Sequence, residues 1–321
     1  MFSEQFIKIF LNTKIDNQNK TRTKDNKKKP QECQNTIKLQ NNNNFRGSNK
    51  NITQDKWKKE ILVMHAFGEF NDTIYSNAYE SLNYYYEVKK MKLMEADFIL
   101  TNDDHIVIEH DYEIFNKSAP SLEEYKKSRT RGNLTPMIFE DLVKYMNNHE
   151  DLYIITDTKY TDFTSIKKEF NEMTEILSRY GNVNERFIIQ TYNERMYEFL
   201  RSEKYPFNHY LFTLYQRVSY PINMDDMENI FNYCKEKGID GIVMWDYYLN
   251  DNIINLSKKY SIPVYLHTVN DIEKTIQFIC QGVKAIYTDN ITYDILEEYQ
   301  KKKKLNNILS EKTFIFIKKS E

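Results

Sequence analysis

From residue 61 onward, short runs of apolar residues alternate with longer segments whose apolar residues recur at helical spacing. The apolar runs predict strands at 61–65, 93–99, 106–110, 152–157, 186–190, 209–214, 240–244, 263–267 and 284–287. The segments between most of these runs predict helices at 77–91, 137–148, 163–180, 193–202, 225–237, 251–260 and 271–281. Strands that alternate with helices in this way are typical of βαβ units with parallel neighbouring strands.

The predicted strands are almost continuously apolar, as strands buried on both faces of a parallel sheet are. The alternation extends over about 260 residues, the size of one (β/α)8 TIM barrel. We therefore predict this α/β fold, and a doubly wound open sheet is the main rival. Two segments depart from strict alternation. Turn residues at 102–104 predict a hairpin or a short connection, and residues 112–136, which are polar and lack periodicity, predict an insertion over the active face.

Residues 1–58 differ in composition from the rest of the chain. They contain 13 Lys or Arg and 5 Asp or Glu, whereas the whole chain has a net charge of only −2. Their many Asn, Lys and Gln residues cannot bury enough apolar surface to offset the entropy lost on ordering. We predict a disordered basic tail at 1–58 and the barrel at 59–321. Such a tail can contact anionic partners; we expect no nucleic acid and keep peripheral membrane contact as an open alternative.

The three cysteines, Cys33, Cys234 and Cys280, are far apart and show neither metal-ligand spacing nor an evident disulfide pattern. No apolar stretch is long enough to span a bilayer. With only 7 glycines in the chain, a glycine-rich phosphate loop is not expected either. These features favour a protein of a reducing, cytoplasmic compartment.

Three carboxylates lie within or at the end of two predicted strands. Glu95 and Asp97 are two residues apart, so their side chains point to one face of their strand. Asp157 and Lys159 have the same spacing at the end of another strand. Polar residues at the carboxyl ends of barrel strands are typical of active sites. Carboxylate oxygens suit a hard divalent cation, and a lysine can offset the charge of a phosphate.

Two histidines, His65 and His110, also follow apolar runs. A pair of histidines can supply a general base and a general acid. Together with the three carboxylates and the lysine, they are the parts needed for metal-assisted cleavage of a phosphodiester. Trp245, after another strand, is expected to form an aromatic wall of the substrate pocket. Asp111 is expected to cap a turn, and whether His267 faces the substrate is left open.

Eight short elements follow one another in a fixed order between residues 61 and 290. They are His65-Ala66-Phe67-Gly68, Tyr75-Ser76-Asn77, Glu95-Ala96-Asp97, Leu100-Thr101-Asn102-Asp103, Ile108-Glu109-His110-Asp111, Asp157-Thr158-Lys159, Val264-Tyr265-Leu266-His267-Thr268-Val269-Asn270 and Gly282-Val283-Lys284-Ala285-Ile286-Tyr287-Thr288-Asp289. In this order the chain resembles the glycerophosphodiester phosphodiesterase family of the phosphatidylinositol-phospholipase-C-like barrels, with its H-R-G, P-E-N-T, E-x-D, L-T-x-D, V-x-H-D, E-x-K, W-T-V-N and T-D motifs.

The resemblance implies a role for each matching residue. It implies His65 and His110 as the acid/base pair and Lys159 as a phosphate contact. It implies the carboxylates as ligands of Mg²⁺ or Ca²⁺, namely Glu95, Asp97 and Asp157. The implied reaction is hydrolysis of a glycerophosphodiester, a small or lipid-derived molecule, to an alcohol and glycerol phosphate.

The chain also departs from the family pattern. Ala66 stands where the family has an arginine, so one phosphate clamp is missing. Ser76 replaces a glutamate, and Asp157 is one methylene shorter than the family's glutamate. Two alternatives therefore stay open. One is a phospholipase-type enzyme acting on membrane lipids, and the other is a catalytically weakened barrel that binds a phosphorylated ligand or glycan.

Overall fold

The computed structural model describes residues 56–304. The strands are β1 (Leu62–Met64), β2 (Leu93–Leu100), β3 (Ile106–Ile108), β4 (Met137–Ile138), β5 (Tyr153–Asp157), β6 (Phe187–Thr191), β7 (His209–Thr213), β8 (Gly241–Trp245), β9 (Val264–His267) and β10 (Ala285–Thr288). The α-helices are α1 (Tyr79–Asn83), α2 (Leu122–Lys127), α3 (Phe139–Asn148), α4 (Phe163–Leu177), α5 (Glu194–Ser202), α6 (Met224–Lys237), α7 (Asp251–Tyr260) and α8 (Ile272–Gln281). Residues 293–304 are also helical.

Eight parallel strands close into a barrel. The strand order runs β1, β10, β9, β8, β7, β6, β5 and β2, and β2 pairs again with β1. The short strands β3 and β4 continue from β2 as an antiparallel extension. A helix follows each barrel strand before the next barrel strand begins. The closed ring confirms the predicted (β/α)8 TIM barrel and excludes the open sheet, and the antiparallel pair β2–β3 confirms the predicted hairpin.

The predicted elements agree with the structure to within a few residues, apart from the additional helix at residues 293–304 and three further differences. The helix expected at 77–91 is the short α1 followed by a π-helical turn over Tyr84–Val88. The first two residues of the helix expected at 137–148 form β4 instead. The segment 112–136 contains α2, which begins at a capping box formed by Ser121 and Glu124. That Ser-x-x-Glu signal is visible in the sequence, and it outweighed the weak apolar periodicity.

The barrel interior is apolar below and polar above. Alternate residues of each strand point inward, and the lower inward positions form one buried cluster that includes Val63, Leu93, Ile155 and Val243. Glu95 and Asp97 continue the inward series of Leu93 toward the carboxyl end of β2. The polar side chains therefore lie in the barrel mouth because the strand period places them there, above a floor of aliphatic and aromatic residues.

The barrel begins earlier in the chain than predicted. Trp57 lies in the short 3-10 turn Lys56–Lys59 and is almost fully buried at 1% exposure. Its ring stacks near Tyr265 and meets His209 edge-on. Lys58 forms an ion pair with Asp240 at 2.7 Å. The predicted boundary at residue 59 is thus too late, because Trp57 belongs to the apolar cluster inside the barrel. The rest of the predicted tail lies outside the described residues.

The cysteine expectation also needs correction. Cys280 is disulfide-bonded, whereas Cys234 is a free, buried thiol. Unpaired cysteines therefore no longer argue for a reducing compartment, and cytoplasmic localisation stays a prediction. Among the helices of residues 56–304, none is long and apolar enough to cross a membrane.

Replacing Trp57 with alanine should strongly destabilise the barrel. Truncation of a buried aromatic residue typically costs about 3–5 kcal/mol in the free energy of unfolding. Urea unfolding of Trp57→Ala should show this loss, while Lys56→Ala, at an exposed neighbouring position, should change little. A chain lacking residues 1–55 should keep its barrel, whereas one lacking residues 1–58 should lose stability as Trp57→Ala does. Equal stability of the two truncated chains would contradict this packing.

Glu169 is buried at the inner face of α4. Neither of its carboxylate oxygens has a hydrogen-bond partner among the described residues. Burial raises the pKa of Glu169 well above its usual range, and the negative charge of Asp157 adds to this. The folded protein therefore holds a proton on Glu169 at a pH where the unfolded chain has released it. It follows that stability from this group falls as pH rises above the ordinary carboxyl pKa.

We expect Glu169→Gln to stabilise the protein at pH 8 relative to wild type, with a difference that shrinks toward pH 5. Glutamine stays neutral, so the variant avoids the linked uptake of a proton on folding. Urea unfolding at several pH values measures the difference. Glu175→Gln, at an exposed position of the same helix, is the matched control. A pH-independent difference would show that Glu169 is ionised in the folded protein.

Candidate active site

Three carboxylates converge in the barrel mouth. One oxygen from each of Glu95, Asp97 and Asp157 lies within 4.8 Å of the other two. The strand register produces this arrangement, because Asp97 of β2 and Asp157 of β5 are direct partners on neighbouring parallel strands. All three side chains are buried. The predicted convergence is confirmed, while the role of these residues as metal ligands stays a prediction.

Neutral groups and one cation hold the carboxylates in place. The backbone N–H of Ala66 donates to Glu95 Oε2 at 2.8 Å, and Asn77 Nδ2 donates to Asp97 Oδ2 at 2.7 Å. The Lys159 ammonium contacts both Asp97 and Asp157. Each carboxylate thus keeps a defined orientation within the mouth.

The charges in this cluster shift one another's ionisation. Burial opposes the charge of Lys159, but Asp157 and Asp97 outweigh it and hold the pKa of Lys159 above its usual range. Burial would likewise raise the pKa of Asp97, yet the charge of Lys159 lowers it below the usual range. Burial and then the charge of Asp97 raise the pKa of Glu95 to about 8, although His65, 3.9 Å away, lowers it. Lys159 and His65 thus both place positive charge next to the three carboxylates.

His65 lies directly after β1 and is oriented by a second carboxylate. Its Nδ1 is 2.8 Å from Asp289 Oδ1, and its Nε2 is 3.9 Å from Glu95 Oε2. Asp289 is itself held by Asn270, whose Nδ2 donates to Asp289 Oδ2 at 2.6 Å. Burial alone would lower the pKa of His65, but the hydrogen bond with Asp289 and the charge of Glu95 raise it to about 9. The ring therefore keeps Nε2 directed toward the carboxylates.

His110 follows β3 and has a similar support. Its Nδ1 is 2.8 Å from Asp111 Oδ2. Asp111 Oδ1 accepts a hydrogen bond from the backbone N–H of Glu113 at 2.9 Å. Asp111 thus caps a turn, as predicted, and orients the imidazole as well.

An aromatic ring links the two histidines. The Tyr75 ring lies 4.8 Å from the His65 ring and 4.6 Å from the His110 ring, measured between centroids. Tyr75 belongs to the connection between β1 and α1, which begins at Gly68. Gly68 has φ +88°, and a Cβ there would lie 2.3 Å from the Tyr85 ring. A glycine is required at this position, and it lets Tyr85 tie the connection to the end of β10 through the Glu69 and Asp289 carbonyls.

A second group of aromatic residues lines the other side of the mouth. Trp245 of β8 is the register partner of His267 of β9. The Tyr215 ring stacks on Trp245 at 5.6 Å and lies 4.2 Å from His267. Burial, and then the charge of His65, lower the pKa of His267 well below its usual range, so its ring is neutral. Trp245 thus stands where the predicted aromatic wall requires it, and its contact with substrate stays a prediction.

Several residues of the site were not assigned a role from the sequence. Asp289, Asn77 and Asn270 all lie within the motifs that carried the resemblance, so the signal for them was present. Tyr192 donates a hydrogen bond to Asp157. Arg131, in the segment without periodicity, bonds to Asp111, and no sequence signal singled it out.

The fold is shared with solved phosphodiesterases. A glycerophosphodiester phosphodiesterase from Parabacteroides distasonis is 20% identical with a TM-score of 0.58, over 75% of this chain and 95% of that chain. A phosphodiesterase from Oleispira antarctica, in complex with the product sn-glycerol-3-phosphate, is 13% identical with a TM-score of 0.57, over 72% of this chain and 93% of that chain. Neither a protein-family model nor a curated protein matches the sequence. At these identities the likeness confirms the predicted barrel type.

Proposed function

We propose that this protein hydrolyses a glycerophosphodiester to an alcohol and glycerol phosphate, with the aid of a divalent cation. The observation that carries the proposal is one arrangement in the barrel mouth. Three buried carboxylates lie within 4.8 Å of one another, beside two histidines that each have a carboxylate on Nδ1. The phosphodiesterases that share this fold, one of them solved with glycerol phosphate, support the same reaction.

The carboxylate cluster fits a hard divalent cation. Its members offer oxygen ligands only, as Mg²⁺ and Ca²⁺ prefer, and three carboxylates crowded in a buried mouth favour a further positive charge there. Glu95, Asp97 and Asp157 would hold the cation. When bound, it would act as a Lewis acid toward a phosphoryl oxygen and offset the charge that develops there.

The two histidines are placed for proton transfer. Because Nδ1 of each ring is engaged by Asp289 or Asp111, Nε2 remains for the substrate. One histidine takes a proton from the nucleophile, which is water or a substrate hydroxyl, and the other protonates the leaving oxygen. Either histidine can fill either part in this proposal.

Lys159 and Trp245 complete the proposed substrate site. The Lys159 ammonium lies within the carboxylate cluster, where it contacts Asp97 and Asp157. It would contact the phosphate there as a point charge. Ala66 gives no second clamp, but its backbone N–H holds Glu95. Trp245, with Tyr215 stacked on it, would form the wall for the organic part of the substrate.

His65→Ala and His110→Ala should each lower turnover of a soluble glycerophosphodiester while leaving the fold intact. Loss of a general acid or base typically costs about 10²–10⁴-fold in rate. His105→Ala is the matched control, because His105 pairs with Glu172 of α4, away from the carboxylates. Steady-state kinetics on a phosphodiester panel with added Mg²⁺ or Ca²⁺ measures the effect. Full turnover by either variant would remove that histidine from the mechanism.

The outcomes on this panel also separate the alternatives. Cleavage of vesicle-bound lipid but not of soluble glycerophosphodiesters would favour the phospholipase-type enzyme. Absence of any metal-dependent turnover would favour the catalytically weakened barrel.

Divalent cation should raise the melting temperature of the wild-type protein and have a much smaller effect on Asp157→Asn. A ligand that binds the folded state alone stabilises it by about 2.7 kcal/mol at one hundred times its dissociation constant. Thermal unfolding with and without Mg²⁺ or Ca²⁺ measures this. Asp104→Asn, an exposed residue paired with Lys168, should respond as wild type does. An equal response in Asp157→Asn would show that any cation binds elsewhere.

A further inference from the structure

We propose that Arg131 is a positioning residue for His110 and acts on it through Asp111. This inference rests on the proposed function, in which His110 transfers a proton. Arg131 lies in the segment between β3 and β4. It would not touch the substrate; it would set the orientation of the imidazole that does.

The three side chains share one oxygen atom. Asp111 Oδ2 is 2.8 Å from His110 Nδ1 and also accepts a hydrogen bond from a terminal nitrogen of Arg131. The other oxygen, Oδ1, accepts from the backbone N–H of Glu113. With both oxygens engaged, the Asp111 carboxylate cannot rotate without breaking the contact to Arg131. The position of the guanidinium therefore determines where the His110 ring is held.

Arg131 is itself held by its neighbours. The Thr130 hydroxyl donates to the Ser76 carbonyl at 3.1 Å. On the other side, Gly132 has φ +70°, and a Cβ there would lie 2.4 Å from Thr73 Oγ1. The segment around Arg131 thus packs closely on the connection that carries Tyr75, whose ring contacts both histidines. The guanidinium also lies 3.7 Å from Glu113 Oε2 and 4.0 Å from Glu109 Oε1, so neighbouring carboxylates hold it in place.

The His110 ring depends more on hydrogen bonds from neighbouring side chains than the His65 ring does, because it is more exposed to solvent. The His65 side chain is only 11% exposed, and its partner Asp289 is buried and held by an amide. The side chains of His110 and Asp111 are 34% and 33% exposed. Water competes for a hydrogen bond at this level of exposure, whereas the charge-assisted bond from the Arg131 guanidinium holds the Asp111 carboxylate in place. The cation therefore substitutes for the burial that fixes the other histidine.

A double-mutant cycle on a soluble glycerophosphodiester tests the proposal. Arg131→Met should lower kcat roughly 10- to 100-fold with little change in KM, because a misplaced proton-transfer group slows the chemical step. Arg131→Lys, which keeps the charge without the planar fork, should fall between wild type and Arg131→Met. In the His110→Ala background, Arg131→Met should cause no further loss. Arg129→Met is the matched control, because Arg129 lies in the same segment and bonds to Thr135.

A second measurement does not depend on turnover. In protein labelled with ¹⁵N-histidine, the His110 ring should show a protonated, hydrogen-bonded Nδ1, assigned by its loss in His110→Ala among the 6 histidines. Arg131→Met should abolish this signature, and Arg129→Met should preserve it. A wild-type protein that cleaves no phosphodiester would refute the proposed function, and the spectrum would still decide the role of Arg131.

Two results would overturn the proposal. One is an equal loss of kcat from Arg131→Met in the wild-type and His110→Ala backgrounds, which would mean that Arg131 acts independently of His110. The other is an unchanged His110 signal in Arg131→Met.

Discussion

Three carboxylates lie within 4.8 Å of one another in a buried barrel mouth, those of Glu95, Asp97 and Asp157. Like charges at such separations repel strongly where the local dielectric is low. The surrounding groups reduce this repulsion. Lys159 supplies one positive charge, and backbone and amide N–H groups supply hydrogen bonds. Burial and the charge of Asp97 raise the pKa of Glu95 to about 8, and a divalent cation bound among the three carboxylates would lower the repulsion that remains.

The apolar lower half of the barrel stabilises the fold and so offsets the free-energy cost of burying this carboxylate cluster. Trp57 and the inward aliphatic side chains pack below the carboxylates, so the strands are anchored before the polar layer begins. The alternation of inward and outward side chains then brings residues two positions apart into successive layers. Stability and chemistry are in this way divided along the same strands, with burial at one end and charge at the other.

The two histidines reach the mouth by different routes. His65 directly follows the barrel strand β1. Its Nδ1 is hydrogen-bonded to Asp289, which directly follows β10. His110 follows the antiparallel extension and depends on its chain neighbour Asp111, which Arg131 holds from a segment twenty residues further on. Tyr75 contacts both rings, so a shift of one histidine ring would displace Tyr75 and, through it, the other histidine ring.

The sequence by itself determined the period of the strands, the alternation with helices and the identity of the three carboxylates and two histidines, since these depend on local pattern and on short motifs. It also contained Asp289, Asn77 and Asn270 without showing what they do. Tertiary structure alone decided that Trp57 belongs to the barrel, that Tyr192 bonds to Asp157, and that Arg131 reaches Asp111. The physical reason is distance along the chain. Contacts such as Trp57 with Tyr265 join residues whose proximity follows from closure of the barrel, and no local pattern encodes that closure.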